Sequence, residues 1–192
     1  LNTYGIRCFM PFSERWFYGD ALFIVDPWLL AMLVAGVWLS LRGENRKALR
    51  SPVPARIAIV AGLAYVAFNI GLSRPVAWRA LRDAPYPQVA VASPVPLAFW
   101  RREVLWRNAD GTFGTFPCTL LACQRYPLEV RRARLDDPRL AARARDDPAT
   151  RAFLFWSRMP LVEHRDGRAV LMDQRTMDRA GPLFSVDLGP VR

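Results

Sequence analysis

Two apolar runs constrain this chain more than any other feature. Between Ala21 and Leu41 the only charge is Asp26, and from Ile57 to Ser73 there is none. At a helical rise of ~1.5 Å per residue the first run spans about 31 Å, close to the hydrocarbon thickness of a bilayer. The second is shorter, and its small residues Ala61, Gly62, Ala64 and Ala67 permit close approach of a neighbouring helix. The runs read as a membrane helical hairpin of two transmembrane helices. A buried hairpin in a water-soluble protein gives the same pattern and is the alternative. Asp26-Pro27 also reads as an N-cap with Pro at the first helical position, which starts the regular helix at Pro27 and leaves Trp28 to Leu41 as a short core.

Charge orients the hairpin. Arg42, Arg46, Lys47, Arg50 and Arg56 stand against one acid, Glu44, between the runs, so this loop is expected in the cytoplasm. Trp16, Tyr18, Trp28 and Trp78 then form the aromatic belt at the opposite interface, and both Leu1 to Asp26 and everything after the second span face outward. Membrane lipid is the first expected partner.

From Arg74 onward there are 20 basic and 13 acidic residues, against 7 and 4 before it, which marks a water-exposed region. The chain is expected to divide into a membrane part over 1–74, a Pro-rich linker over 75–96 and a soluble α+β domain with an antiparallel sheet over 97–192. Pro85, Pro87, Pro94 and Pro96 carry the linker. Strand-like runs Phe99 to Arg107 and Thr112 to Leu121 flank Asn108 to Gly111, and Leu161 to Arg165 and Arg168 to Asp173 flank Asp166-Gly167, a favoured pair for a two-residue hairpin turn. Leu183 to Leu188 alternates as a closing strand. Asp137-Pro138 and Asp147-Pro148 each read as a helix start, and Phe153, Phe155 and Trp156 of the second helix are expected to pack on the sheet.

Residue counts narrow the chemistry. There is 1 histidine, His164, too few for a zinc site built within the chain, and it reads as a surface strand residue. The 3 cysteines, Cys8, Cys118 and Cys123, contain no CxxC pair. A Cys118–Cys123 disulfide requires an oxidising side of a membrane, and buried free thiols are the expectation. The basic run Arg125 to Arg151 invites a nucleic-acid reading. Glu129, Asp136, Asp137, Asp146 and Asp147 interrupt it, and all but one of the chain's 27 basic residues are Arg, so it reads as a solvated face and no nucleic-acid partner is expected.

The densest group of unusual residues is LNTYGIRCFMPFSERWFYGDALFIVDPW, Leu1 to Trp28. Asn2, Thr3, Tyr4, Arg7, Ser13, Asp20 and Asp26 alternate there with apolar residues beside a membrane, where polar groups are costly unless they have a task. As structure, Asp26 is a cap, Asn2-Thr3 a cap or turn and Pro11 a breaker. As function, Asp20 and Asp26 are oxygen donors for a metal or for its ligands. Six residues apart on one helix they would point about 240° from each other, so they converge only if the chain bends between them. Asp20 is therefore the favoured candidate and Asp26 the cap.

This segment resembles the characteristic segment of the membrane-bound metal-dependent hydrolase family, the YdjM-like, LexA-binding inner-membrane proteins. The matching positions are Asn2, Thr3, Tyr4, Gly5, Pro11, Phe12, Ser13, Asp20, Asp26 and Pro27. The Trp100 region, the helix ending at Pro160 and the last strands look similar, more loosely, to the C-terminal extension of longer members. In the family a His-containing stretch and an Asp lie just upstream of the Asn-Thr-Tyr-Gly, with a further His-Arg-Gly motif near the N terminus, and these residues do not occur here. The resemblance implies a C-terminal fragment of a hydrolase that uses a divalent metal such as zinc, inactive alone and binding no metal alone. It implies Asp20 and Asp26 as metal-side residues supported by Asn2, Thr3, Tyr4, Arg7 and Ser13. The membrane location suggests a lipid-linked or amphipathic ester or phosphoester as substrate. The competing class is a non-enzymatic, membrane-anchored binding or scaffold module with an outward-facing β-rich domain.

Overall fold

A computed structural model describes residues 4–23, 25–42, 52–83, 87–119, 122–124, 129–177 and 184–191. The chain divides into two compact units. The first holds residues 1–79, 91–104 and 117–124, and the second 80–90, 105–116 and 125–192.

In the first unit, helix α1 spans Pro27–Arg42 and helix α2 Val53–Asp83. The start of α1 is fixed by Asp26, whose Oδ1 accepts from the Trp28 and Leu29 amides at 3.1 and 3.0 Å. The helix is therefore 16 residues long, about 24 Å, and falls short of a bilayer core. Of the described helices, only Val53–Arg79 within α2 is long and apolar enough to cross a membrane. The second helix outruns the uncharged stretch that announced it. It passes Arg74 and accommodates Pro75, whose missing amide would have met the Gly71 carbonyl.

Small residues bring α1 and α2 together in antiparallel sense. A Cβ on Gly36 would collide with the Ala58 Cβ, one on Gly62 would lie 3.0 Å from Leu29, and Ser40 Oγ accepts from the Ala55 amide at 3.1 Å. The Arg42 to Arg56 loop was assigned by charge, and residues 43–51 of it lie outside the described residues.

The stretch expected as a linker is structured on both sides of residues 84–86. It holds the last turns of α2 and strand β1, Pro87–Val95. Strand β2 is Ala98–Asn108, β3 Thr112–Thr119 and β4 Val130–Arg132, in sheet order β1-β2-β3-β4. Prolines suit β1 because it is an edge strand, where amides on the open side make no ladder bond, and Pro87 is its first residue. The division between the units falls within α2 and β1, both times inside that stretch, and again within β2 and β3.

Cys118, near the end of β3, faces Cys123 across a tight return, and the two form a disulfide with a Cα separation of 4.1 Å. This corrects the expectation of free thiols. The return is tightened by bonds between Thr119 and Ala122, the Thr119 amide donating to the Ala122 carbonyl at 2.8 Å, and that local geometry could not be read from an odd cysteine count. The third cysteine, Cys8, is free and exposed.

The second unit is the small α+β body that the turn residues foretold. Helices α3, Pro138–Asp146, and α4, Pro148–Trp156, begin after Asp137 and Asp147, whose carboxylates accept the first amides. Strands β5, Pro160–Arg165, β6, Arg168–Asp173, and β7, Ser185–Pro190, form an antiparallel sheet in that order. Asp166 and Gly167 both have positive φ, 49° and 72°, as the hairpin turn between β5 and β6 requires.

Adjacent strand residues face opposite sides of the sheet. Val162, Leu171 and Leu188 pack with Leu140, Phe153 and Leu154 of the two helices, while Leu161 and Met172 pack with Phe113 and Ala133. Phe155 departs from expectation. It is 51% exposed, because α4 turns only Phe153 and Leu154 onto the sheet, and Trp156 stacks instead on Phe184 at 6.0 Å.

Candidate functional site

Tyr65, Asn69 and Ser73 are spaced four apart on α2 and so form one polar stripe on an otherwise apolar helix. Polar groups on such a surface need partners, and each of these has one. The Tyr65 hydroxyl donates to Asp26 Oδ2 at 3.2 Å, the Asn69 amide donates to the Tyr65 carbonyl at 2.8 Å, and the Ser73 hydroxyl donates to the Asp20 carbonyl at 2.6 Å. Asn69 is 1% exposed and Ser73 2%.

The centre of this network is Arg102 of β2, itself 3% exposed. Its Nε donates to Ser73 Oγ at 2.9 Å, its Nη2 to Asn69 Oδ1 at 2.6 Å, and its Nη1 to the Phe99 and Arg101 carbonyls at 2.5 and 2.9 Å. A fifth, weak bond runs from Nη2 to the Asn69 carbonyl at 3.4 Å. Every acceptor is neutral. Burial pushes the guanidinium pKa down, and Tyr65 and Asp26 act on it only through longer-range charge, in the opposite direction. Burying a cation among neutral oxygens satisfies its hydrogen bonds without cancelling its charge.

The segment Tyr4 to Asp26 reaches this network at two points. Asp26 is both the cap of α1 and the acceptor for Tyr65, which fills both carboxylate oxygens. Asp20 sits at a bend with φ of +47° and meets α2 through its main-chain oxygen. The chain thus bends between the two aspartates. The remaining candidates are spent locally. The Ile6 and Phe17 amides and carbonyls bond reciprocally at 2.9 Å, which closes a short hairpin. Gly5 supplies its positive φ of 83° and lies so close to Tyr18 that a Cβ would be 2.6 Å from the ring. Arg7 lies over Trp16 and pairs with Glu14 at 3.6 Å, and Ser13 Oγ accepts from the Arg15 amide at 3.3 Å. Asn2 and Thr3 lie outside the described residues.

These donors do not suit a metal by themselves. Among the described residues no group of three or more His, Cys, Asp or Glu comes together. His164 is structural: Nε2 lies 3.1 Å from Asp137 Oδ2 and Nδ1 2.9 Å from an Arg134 guanidinium nitrogen. Burial raises the Asp137 carboxyl, but bonds from the Arg139 amide and His164, with the charge of Arg139, outweigh it and hold the group below its usual range. Arginines of the basic run are engaged likewise, Arg131 with Glu163 at 2.8 Å and Arg139 with Asp137 at 3.1 Å.

Sequence reasoning missed Arg102, Asn69 and Ser73. The signal was present in part, since Tyr65, Asn69 and Ser73 are the polar positions of the second apolar run and recur at helical spacing. Nothing local marks Arg102 among its neighbours Arg101 and Arg107. Comparison with family models, with curated proteins and with solved structures finds no match to this chain.

Proposed function

We propose that this protein is a membrane-anchored binding module, in which α2 crosses the membrane with α1 packed against it and the polar network around Arg102 receives an anionic group at the membrane edge. The observation that carries this reading is Arg102 itself, a buried guanidinium held by Asn69 and Ser73 of α2, which among the described helices is the one long enough to span. A charge kept at such a place is expensive and marks a task. The orientation follows from the five basic residues between Arg42 and Arg56, with that loop cytoplasmic and the β-rich region in the periplasm of a bacterial inner membrane. The Cys118–Cys123 disulfide supports the same side, because such bonds persist in oxidising compartments.

The test uses the full chain in intact cells with Cys8→Ser as background. An impermeant maleimide should label Asp166→Cys and not Ser51→Cys. The reverse pattern overturns the orientation, and extraction of the chain by alkaline carbonate overturns the anchor.

The second proposal is the metal-dependent hydrolase that the Asn2 to Trp28 resemblance implies, acting on a lipid-linked or amphipathic ester. One observation favours it: Asp20 and Asp26 are both tied to the same stripe of α2, through Ser73 and Tyr65. Further ligands would have to come from outside the described residues. Protein purified without stoichiometric divalent metal would end that proposal.

A further inference from the structure

Beside Arg102 the first unit contains a cavity of about 220 Å³. Its walls include Gly71, Leu72 and Val76 of α2, Arg79 near the end of that helix, and Trp100 and Arg102 of β2. Two arginines thus line one small space, and among the described residues neither forms an ion pair with a carboxylate. Arg79 is exposed and Arg102 buried, so the charge runs from the mouth inward. Gly71 is exposed and leaves open space beside it, since a Cβ there would meet nothing within 4 Å.

We propose that this cavity binds a phosphate group, that of an anionic phospholipid headgroup or of a free phosphate. The inference deepens the binding-module reading and rests on it. Guanidinium forks match the oxygens of a phosphate, and a site of two of them strongly favours an anion over a neutral polar group. Arg79 makes the first contact. The 3.4 Å bond from Arg102 Nη2 to the Asn69 carbonyl is the weakest that residue makes, and it is the one an anionic oxygen can replace while Ser73 and Asn69 Oδ1 keep the side chain in place. Leu72, Val76 and the Trp100 indole give the space apolar walls, suited to the glycerol carbons beside a lipid phosphate.

The experiment uses the full chain in a maltoside detergent, which carries no phosphate. Short-chain phosphatidylglycerol, inorganic phosphate and a short-chain neutral diacylglycerol are titrated separately by calorimetry. Saturable binding of the phosphatidylglycerol alone supports a headgroup site, and equal binding of inorganic phosphate supports a free-phosphate site. Binding of the diacylglycerol as tight as that of the lipid, or no binding of either phosphate, overturns the proposal.

Arg79→Gln should weaken binding about tenfold, as loss of one charge-assisted contact does. Gly71→Leu should fill the cavity and abolish binding, while Arg101→Gln, exposed and outside the cavity, should leave it unchanged. Unaltered affinity in Arg79→Gln refutes the location even if Gly71→Leu fails to fold. Carbonate extraction of the chain from membranes refutes the binding-module reading itself, whereas an integral chain that binds no phosphate refutes only this inference.

Discussion

Asp173→Asn tests how the second unit is held together. Asp173 is fully buried, and its two oxygens accept five bonds. Oδ1 takes the Arg175 amide and Nε, both at 2.8 Å, and Oδ2 takes Arg175 Nη2 at 2.8 Å, Ser157 Oγ at 2.5 Å and the Met159 amide at 3.2 Å. Asn has the same shape but keeps one acceptor, sets an NH2 against donors and leaves the Arg175 charge unbalanced. Breaking a buried pair from one side costs about 3–5 kcal/mol. At ~4–8 °C per kcal/mol for a body of this size, the melting temperature should fall by at least about 12 °C. Thermal unfolding of the full chain in detergent, followed by near-UV circular dichroism, measures this. Asp187→Asn is the control: its pair with Arg168 is half exposed and should leave the transition in place.

The pH dependence gives a second reading of the same site. Burial alone raises the Asp173 carboxyl, but the bond and charge from Arg175, with Ser157, outweigh it and hold the group below its ordinary value. A folded pKa below the unfolded value of ~3.9 means that the contribution is complete above that pH and is lost as pH falls through the folded pKa. The parent should therefore lose stability below about pH 4 more steeply than Asp173→Asn. A variant that melts within about 2 °C of the parent, with the same acid limb, refutes the account.

What was legible in the sequence was legible locally. Asp137-Pro138, Asp147-Pro148 and Asp166-Gly167 each force a backbone conformation on their own neighbours, and α3, α4 and the β5–β6 turn stand where those residues put them. Asp26-Pro27 worked in the same way and shortened α1, overriding the longer apolar run. Features that depend on partners distant in sequence were not legible. Arg102 meets Asn69 and Ser73 across about thirty residues, and no charge pattern distinguishes it from Arg101, whose side chain emerges on the other face of the strand. Pro87 to Pro96 suggested a linker because proline is scarce in sheets, yet an edge strand removes the objection, and edge position is itself a tertiary property. The Asn2 to Trp28 segment was legible as unusual. Its described residues serve a cap, a small hairpin and two tethers to α2, and sequence alone does not separate those tasks from metal binding.

Asp26→Asn should be mild, costing about 1 kcal/mol, because an amide oxygen still caps α1 and its NH2 group faces only the Tyr65 hydroxyl, which can turn to accept; a loss of folded protein in membranes counts against the cap assignment. Maleimide labelling of the unfolded, unreduced chain should modify Cys8 alone, and after reduction all 3 cysteines; three labels before reduction remove the disulfide and its support for a periplasmic side. The last prediction concerns Arg102. Asn69→Leu removes the 2.6 Å acceptor of a buried guanidinium and should cost about 3 kcal/mol or more, since a buried charge is left short of a partner. Adding Arg102→Leu takes the orphaned charge away, and replacing both partners by apolar groups is close to neutral in general. The double variant should therefore melt above the Asn69→Leu single variant while failing to bind any phosphate. If it melts no higher, Arg102 is not the group that Asn69 serves, and the polar stripe on α2 must be explained by the Asp20 and Asp26 tethers alone.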